Sequence, residues 1–159
     1  MLKSCIITTE GINLRRGYVL KEMSIYLLHL NETKHYFFKS PINVNMDSND
    51  MKTNWYTKKY LSGIGVNDFR SGSLENFSYM DILRSLSDHR IYVVGQQTYE
   101  LCYGIIPHAN IIDLQHSSFI YPKQIQSALC GFSHSNPRYC SLAKIWVIKN
   151  YLDENQLEM

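Results

Sequence analysis

Two cysteines and a histidine that lie close together form the most specific chemical pattern in the chain. Cys130, His134 and Cys140 follow the spacing C-x3-H-x5-C within eleven residues. Zinc prefers thiolate and imidazole ligands, and a short turn lets such ligands converge on one ion. The glycine, asparagine and proline of this segment favour a turn. The pattern therefore predicts a zinc site, against the alternative of two buried thiols and a surface histidine.

A closed zinc site needs a fourth protein ligand, and the sequence offers three candidates for it. Cys5 and Cys102 are thiols, whereas Glu22 is a lone carboxylate inside the apolar run 18–30. A buried carboxylate needs a cationic partner, which makes Glu22 the stronger candidate. The alternative for Glu22 is an ion pair with Lys21 or with an arginine. Without a metal role, Cys5 and Cys102 are expected to be core residues.

The hydrophobic pattern predicts the elements that must position these residues. The predicted strands span 2–9, 18–30, 34–40, 91–94 and 110–114, with a turn at 11–17, and the predicted helices span 77–88, 98–105, 122–129 and 141–152. Short turns between the first three strands predict an antiparallel meander, and the later alternation predicts an α/β pattern with parallel strands. We expect an α/β fold with a mixed sheet flanked by helices, in one domain over 1–152 with a frayed tail at 153–159.

Composition excludes several classes of protein. The chain has 159 residues, of which 45% are hydrophobic, and this fraction excludes a disordered protein. A net charge of +2 excludes a nucleic-acid binder driven by overall charge, although a local basic groove remains open. No apolar stretch has the roughly 18 residues of a membrane span, and the N-terminus lacks a hydrophobic leader. We therefore expect an intracellular protein, either cytoplasmic or nuclear, without membrane contact.

The run from Cys130 through His134 to Cys140, continued by Ser-Leu-Ala-Lys, resembles the C-terminal metal segment of the Maelstrom domain. That domain is similar to DEDDh-type 3′–5′ exonucleases in its RNase H-like fold, lacks their catalytic carboxylates and holds zinc through a Glu, Cys, His, Cys set. The zinc ligands that the resemblance implies are Glu22, Cys130, His134 and Cys140. It further implies an RNase H-like mixed sheet with a structural zinc ion.

The exonuclease side of the resemblance implies acids that this chain largely lacks. Thr8 stands where an aspartate belongs, and Tyr139 and Lys144 fall near the positions of an expected histidine and aspartate. Two-metal chemistry needs several carboxylates around ions about 3.5–4 Å apart. The resemblance therefore implies a catalytically degenerate domain. The residues that remain as catalytic candidates are Glu10, Glu100 and Asp113.

A segment with interleaved aromatic and basic residues offers a surface for nucleic acid. The sequence Thr-Asn-Trp-Tyr-Thr-Lys-Lys-Tyr ends at residue 60, and two arginines occupy the turn before the second strand. Aromatic faces stack on bases and lysines contact phosphates, so this segment could bind a single strand. The predicted binding residues are Arg15, Arg16, Trp55, Lys58 and Lys59. The helical spacing of the aromatic residues favours the alternative that Trp55 and Tyr60 pack into the core.

Three functions remain open on the sequence. The first is a zinc-stabilised, degenerate RNase H-like domain that binds single-stranded RNA or a protein partner, in RNA silencing or transposon control as the resemblance implies. The second is an active metal-dependent nuclease, either a 3′–5′ exonuclease using Glu10, Glu100 and Asp113 or a non-standard RNA endonuclease. The third is a protein-interaction module without a nucleic-acid role, which the near-neutral charge permits.

Overall fold

Three apolar runs and two later short strands form one mixed sheet in the computed structural model, which describes residues 2–41, 44–117, 119–122 and 134–155. The strands are β1 (Ser4–Leu14), β2 (Gly17–Leu27), β3 (Glu32–Phe37), β4 (Arg90–Val93) and β5 (Asn110–Asp113), in the order β3-β2-β1-β4-β5. The first three strands pair antiparallel, β4 pairs parallel with β1, and β5 pairs parallel with β4. The predicted meander and parallel strands are confirmed, and the sheet is consistent with an RNase H-like α/β fold.

Four α-helices flank this sheet in the part of the chain that the structure describes. They are α1 (Ser48–Tyr60), α2 (Ser78–Arg84), α3 (Gln96–Ile105) and α4 (Ser141–Glu154). The predicted helix at 122–129 lies outside the described residues, apart from its first position. The final helix runs two residues beyond the predicted domain end at 152. None of the described helices has the length and apolar character that a membrane span requires.

The alternation of side chains along β1 separates two layers of core. Cys5 and Ile7 face one side, where they pack with residues of α2 and α3. Ile6 faces the other side and packs with Ile145 and Ile148 of α4. Because the alternation continues along β1, polar side chains further along the strand also face α4. This arrangement brings buried polar groups beneath the first turns of α4.

The end of β1 differs from the sequence prediction of a turn over 11–17. The strand continues to Leu14, and a β-bulge shifts its register between Glu10 and Gly11. A Cβ atom at Gly11 would lie 2.3 Å from the carbonyl oxygen of Val19, so only glycine fits there. The prediction was wrong because glycine here serves the bulge, which bends a strand and redirects its side chains. The bulge lies directly beside Glu10.

Candidate metal centre and adjacent cleft

Glu22 lies on β2 and is fully buried on the side of the sheet that faces α4. Its carboxylate accepts the Ser141 N–H at 2.6 Å and lies 3.1 Å from Nε2 of His35 and 3.2 Å from Nε2 of His134. Burial alone would raise the pKa of Glu22, but these hydrogen bonds and the His134 charge hold it well below its usual range. Glu22 is therefore an ionised carboxylate that is hydrogen-bonded by Ser141, His35 and His134.

The segment that carries His134 is held by the loop that follows α1. The Asn136 N–H donates to the carbonyl of Leu61 at 2.9 Å, and the Ser135 hydroxyl donates to the carbonyl of Lys58 at 2.6 Å. Gly63 has a φ of +79°, and a Cβ atom there would lie 2.9 Å from the Ser135 nitrogen. The end of α1 thus fixes where His134 enters the site.

The hydrogen bonds of His134 define which ring nitrogen faces the site. Nδ1 lies 2.5 Å from the carbonyl oxygen of Ser62, and because a carbonyl only accepts, Nδ1 carries a hydrogen. Nε2 then points to Glu22, in the arrangement usual for a metal-binding histidine whose other nitrogen donates to a carbonyl. Burial lowers the pKa of His134, but hydrogen bonds with Cys140 and Glu22 outweigh it and raise the pKa to about 10.

Cys140 completes a group of three candidate metal ligands. It is fully buried and occupies the N-cap position of α4. The ligand atoms of Glu22, His134 and Cys140 all lie within 4.8 Å of one another, and no other such group occurs among the described residues. Ligands of a tetrahedral zinc ion at about 2.0–2.3 Å lie about 3.3–3.8 Å apart, so these three side chains fit one ion with small adjustments. Cys130, the remaining predicted ligand, lies outside the described residues.

The structure decides two alternatives that the sequence left open. His134 is buried, so the interpretation of a surface histidine is wrong. Lys21 does not pair with Glu22, because its ammonium donates to the carbonyls of Val66 and Asp68 at 3.0 and 2.6 Å. The two residues are neighbours on a strand and therefore point to opposite faces of the sheet.

The two other candidate thiols are core residues on the opposite side of the sheet. Cys5 and Cys102 are fully buried in the layer that contains α2 and α3, as the sequence analysis expected in the absence of a metal role. Burial raises the pKa of Cys102 to about 12, so this thiol stays protonated and unreactive at neutral pH.

His35 is a site residue that the sequence analysis missed. It lies on β3, where the register places it opposite Ser24, and its side chain is mostly buried against Glu22. Only the β2–β3 register brings the two side chains together, so no spacing in the chain indicates the contact. A histidine that donates to a ligand carboxylate orients that carboxylate.

A cavity of about 1000 Å³ adjoins this centre on the α1 side of α4. Residues of β1, α1, the start of α3 and the beginning of α4 line it, among them Glu10, Lys52, Trp55, Tyr56, Gln96, Arg138, Tyr139 and Lys144. Arg138 and Tyr139 belong to the short 3₁₀ turn that precedes α4. Neither residue could be assigned to the cleft from the sequence, because their positions depend on how α4 docks on the sheet.

Lys144 occupies the place where the cleft meets the sheet. Its ammonium forms an ion pair with Glu10 and donates to the carbonyl of Thr9 at 2.8 Å. Burial raises the pKa of Glu10, and the Lys144 charge opposes that shift. Burial lowers the pKa of Lys144, but the Glu10 charge outweighs it and the pKa rises above its usual range. Glu10 thus already has a cation in contact with it.

The other two catalytic candidates have local structural partners. Glu100 is exposed and accepts a hydrogen bond from the Gln96 side chain at 2.7 Å. Asp113 accepts the backbone N–H groups of Gly95 and Gln115 at 2.9 and 3.0 Å. Together with Glu10, these acids form no cluster of converging ligands among the described residues.

The aromatic side chains of α1 are exposed, so the interpretation that they pack into the core is wrong. Trp55 is 56% exposed and Tyr60 is 46% exposed. The residues that α1 buries are Asp50 and Thr57. Trp55 and Tyr56 line the cavity, where flat aromatic faces can stack on bases.

The predicted basic residues differ in what they contact. Arg15 pairs with Asp47 at 3.4 Å and Lys58 pairs with Asp68 at 3.2 Å, both at the protein surface. The Lys59 ammonium lies 4.8 Å from the centre of the Trp55 ring. Arg16 is exposed in the turn between β1 and β2. Among the described residues, the basic ones on the cavity wall itself are Lys52, Arg138 and Lys144.

Comparisons with known proteins give one structural likeness. No protein-family model matches the chain, and no curated protein matches it. Among solved structures, the nuclease domain of 3'hExo, a DEDDh family member bound to rAMP, is similar at 16% identity with a TM-score of 0.38. The likeness covers 76% of this chain, which spans only 62% of the length of that nuclease domain.

Proposed function

We propose that this chain is a metal-stabilised RNase H-like domain that binds single-stranded RNA in the cleft beside α4 and lacks two-metal nuclease chemistry. One observation carries the proposal. The cleft exposes Trp55 and Tyr56 beside basic side chains, while the one carboxylate among its described lining residues, Glu10, is paired with Lys144. Aromatic faces and cations bind single strands, whereas a nuclease of this type needs several unpaired carboxylates.

The metal in this proposal is a structural zinc ion held by Glu22, His134 and Cys140, with Cys130 as the fourth ligand. Supporting this assignment, the three described ligands are buried and converge, and His134 presents Nε2 to the site. Such an ion would tie the start of α4 to β2 and to the loop after α1. Structural zinc sites have four protein ligands and contribute directly to folding.

Titration of a fluorescently labelled single-stranded RNA, followed by anisotropy at low salt, tests the binding function. Base stacking on an aromatic side chain contributes about 1–3 kcal/mol, so Trp55→Ala should weaken binding by roughly 5- to 150-fold. Trp146→Ala is the matched control, because Trp146 lies on α4, is 39% exposed and does not line the cavity. Failure of the unmodified protein to bind any single strand would contradict the proposal and favour a protein-interaction module.

The same preparations distinguish this function from an active exonuclease. Incubation of a labelled oligonucleotide with Mg²⁺ or Mn²⁺ should leave it intact. Metal-dependent degradation that Glu10→Ala abolishes would support the exonuclease instead. Degradation that survives Glu10→Ala would indicate a different nuclease site or a contaminating enzyme, which repurification separates.

Metal analysis of the purified protein tests the zinc assignment. We expect one zinc per chain, lost on Cys140→Ser and retained in Cys102→Ser, because Cys102 is an equally buried thiol outside the ligand group. A folded protein that contains no metal and takes up none from added zinc would refute the assignment while leaving RNA binding to be judged separately.

A further inference from the structure

The described wall of the cleft carries more positive than negative charge. Three cationic side chains line it, those of Lys52, Arg138 and Lys144, against the single carboxylate of Glu10. The described wall therefore has two positive charges in excess, although the whole chain has a net charge of only +2. A concave surface with one sign of charge attracts ligands of the opposite sign.

Lys144 has one N–H donor beyond the two that Glu10 and Thr9 accept. An ammonium group has three N–H donors, of which one is directed to Glu10 and one to the carbonyl of Thr9. The ammonium also lies 5.7 Å from the centre of the Tyr121 ring, and Tyr121 and the 14% exposed Lys144 side chain both line the cavity. A divalent cation finds no net negative charge here, because Lys144 already neutralises the carboxylate. An anion instead meets the positive charges of Lys52 and Arg138 on the same wall together with the remaining donor of Lys144, and hydrogen bonds between charged groups are strong.

Resting on the proposed RNA-binding function, we propose that the cleft binds the terminal phosphomonoester of a single strand without any divalent metal. Lys144 and Arg138 donate to the phosphate, and Trp55 and Tyr56 lie against the bases. A phosphomonoester carries about −1.5 to −2 charges at pH 7, which matches the excess charge of the cleft, whereas an internal phosphodiester carries about one. A volume of about 1000 Å³ accommodates a terminal nucleotide.

The experiment compares one RNA sequence with three kinds of end: a 5′-phosphate, a 3′-phosphate, or hydroxyls at both ends. Anisotropy is measured on the zinc-loaded protein without any added divalent cation and, separately, with Mg²⁺, and adenosine monophosphate serves as a free-nucleotide competitor. One phosphorylated form should bind at least about tenfold more tightly than the hydroxyl form, because a hydrogen bond to a charged group contributes that much. The preference should be the same with and without Mg²⁺, and competition by the nucleotide would show that the phosphate end alone suffices.

Lys144→Met should remove the preference for the phosphorylated end. Lys34→Gln is the matched control, because it removes the same charge at an exposed position of β3 that does not line the cavity. Lys144→Met leaves the buried carboxylate of Glu10 without its cation, which lowers the stability of that variant. Arg138→Gln therefore provides a second variant at a partly exposed position. It should also lower the preference for the phosphate.

Several results would overturn the inference. Equal binding of phosphorylated and hydroxyl-ended strands would refute it while leaving the RNA-binding function intact. A phosphate preference that appears only with Mg²⁺ would show that a metal, and not Lys144, supplies the charge. Retention of the full preference in both variants would likewise refute it. If no single strand binds, the proposed function itself fails, and this inference fails with it.

Discussion

Replacing Glu22 by glutamine removes one negative charge from the centre of the buried cluster while keeping the shape of the side chain. The amide oxygen can still accept the Ser141 N–H, which the carboxylate accepts at 2.6 Å. The contacts with His35 and His134, at 3.1 and 3.2 Å, lose their charged partner. A neutral amide is also a poor zinc ligand, so the substitution weakens the cluster whether or not zinc is bound.

The expected loss of stability follows from the burial of the site. Glu22 is fully buried, and removing one partner of a buried, hydrogen-bonded ion pair costs about 3–5 kcal/mol. A domain of this size loses about 2–4 °C in Tm per kcal/mol, which gives a decrease of roughly 6–20 °C for Glu22→Gln. This is a large part of the roughly 5–15 kcal/mol that stabilises an ordinary domain.

Thermal unfolding followed by circular dichroism measures this effect at pH 7, once with chelator and once with one equivalent of zinc. Glu100→Gln is the control, because it makes the same chemical change on an exposed side chain bonded to Gln96. We expect its Tm to stay close to that of the unmodified protein. If Glu22→Gln unfolds within about 2 °C of the unmodified protein in both conditions, the cluster contributes no net stability and the reasoning is refuted.

Three further predictions concern the same region. Without metal, the pKa of His134 is raised from 6.5 to about 10, so protonated His134 stabilises the folded protein fully below pH 6.5, and this stabilisation is lost as pH rises through 10. A pH series of Tm measurements in chelator should show this loss, and zinc-loaded protein should not. Thr8→Val removes a buried hydroxyl that donates to the Ser141 carbonyl at 2.6 Å, and urea unfolding should show a loss of about 1–3 kcal/mol; no change would mean that the bond adds nothing. Gly11→Ala places a Cβ atom 2.3 Å from the Val19 carbonyl oxygen and should cost about 1–3 kcal/mol in the same assay, whereas a stable variant would show that the bulge relaxes easily.

Local patterns in the sequence predicted the sheet and the three candidate metal ligands that lie together in the structure, Glu22, His134 and Cys140. The three apolar runs predicted the meander because strand alternation and turn residues act over a few positions. Glu22 was readable as a site residue because a lone carboxylate in an apolar strand needs a partner wherever that strand is buried. The predicted turn at 11–17 was wrong, because a glycine that serves a bulge looks in sequence like one that serves a turn.

Contacts between distant segments could not be predicted in the same way. Lys144 meets Glu10, and His35 meets Glu22, only after α4 docks and β3 takes its register. The aromatic residues of α1 were misjudged because this helix is held by polar contacts. Its buried Asp50 accepts the Arg15 N–H at 2.8 Å, which leaves Trp55 exposed at the cleft.

The pairing of β1 with β2 explains why one helix contributes to both the candidate metal centre and the cleft. Glu10 and Glu22 are direct partners in this antiparallel pair, and like charges placed opposite each other destabilise a sheet. Each carboxylate is satisfied by the start of α4: Ser141 donates to Glu22, and Lys144, one turn later, pairs with Glu10. Because Ser141 and Lys144 belong to the same first turns of α4, an interaction that holds Ser141 against Glu22 also positions Lys144 at the cleft. A metal held by Glu22, His134 and Cys140 would support RNA binding through this helix without touching the RNA.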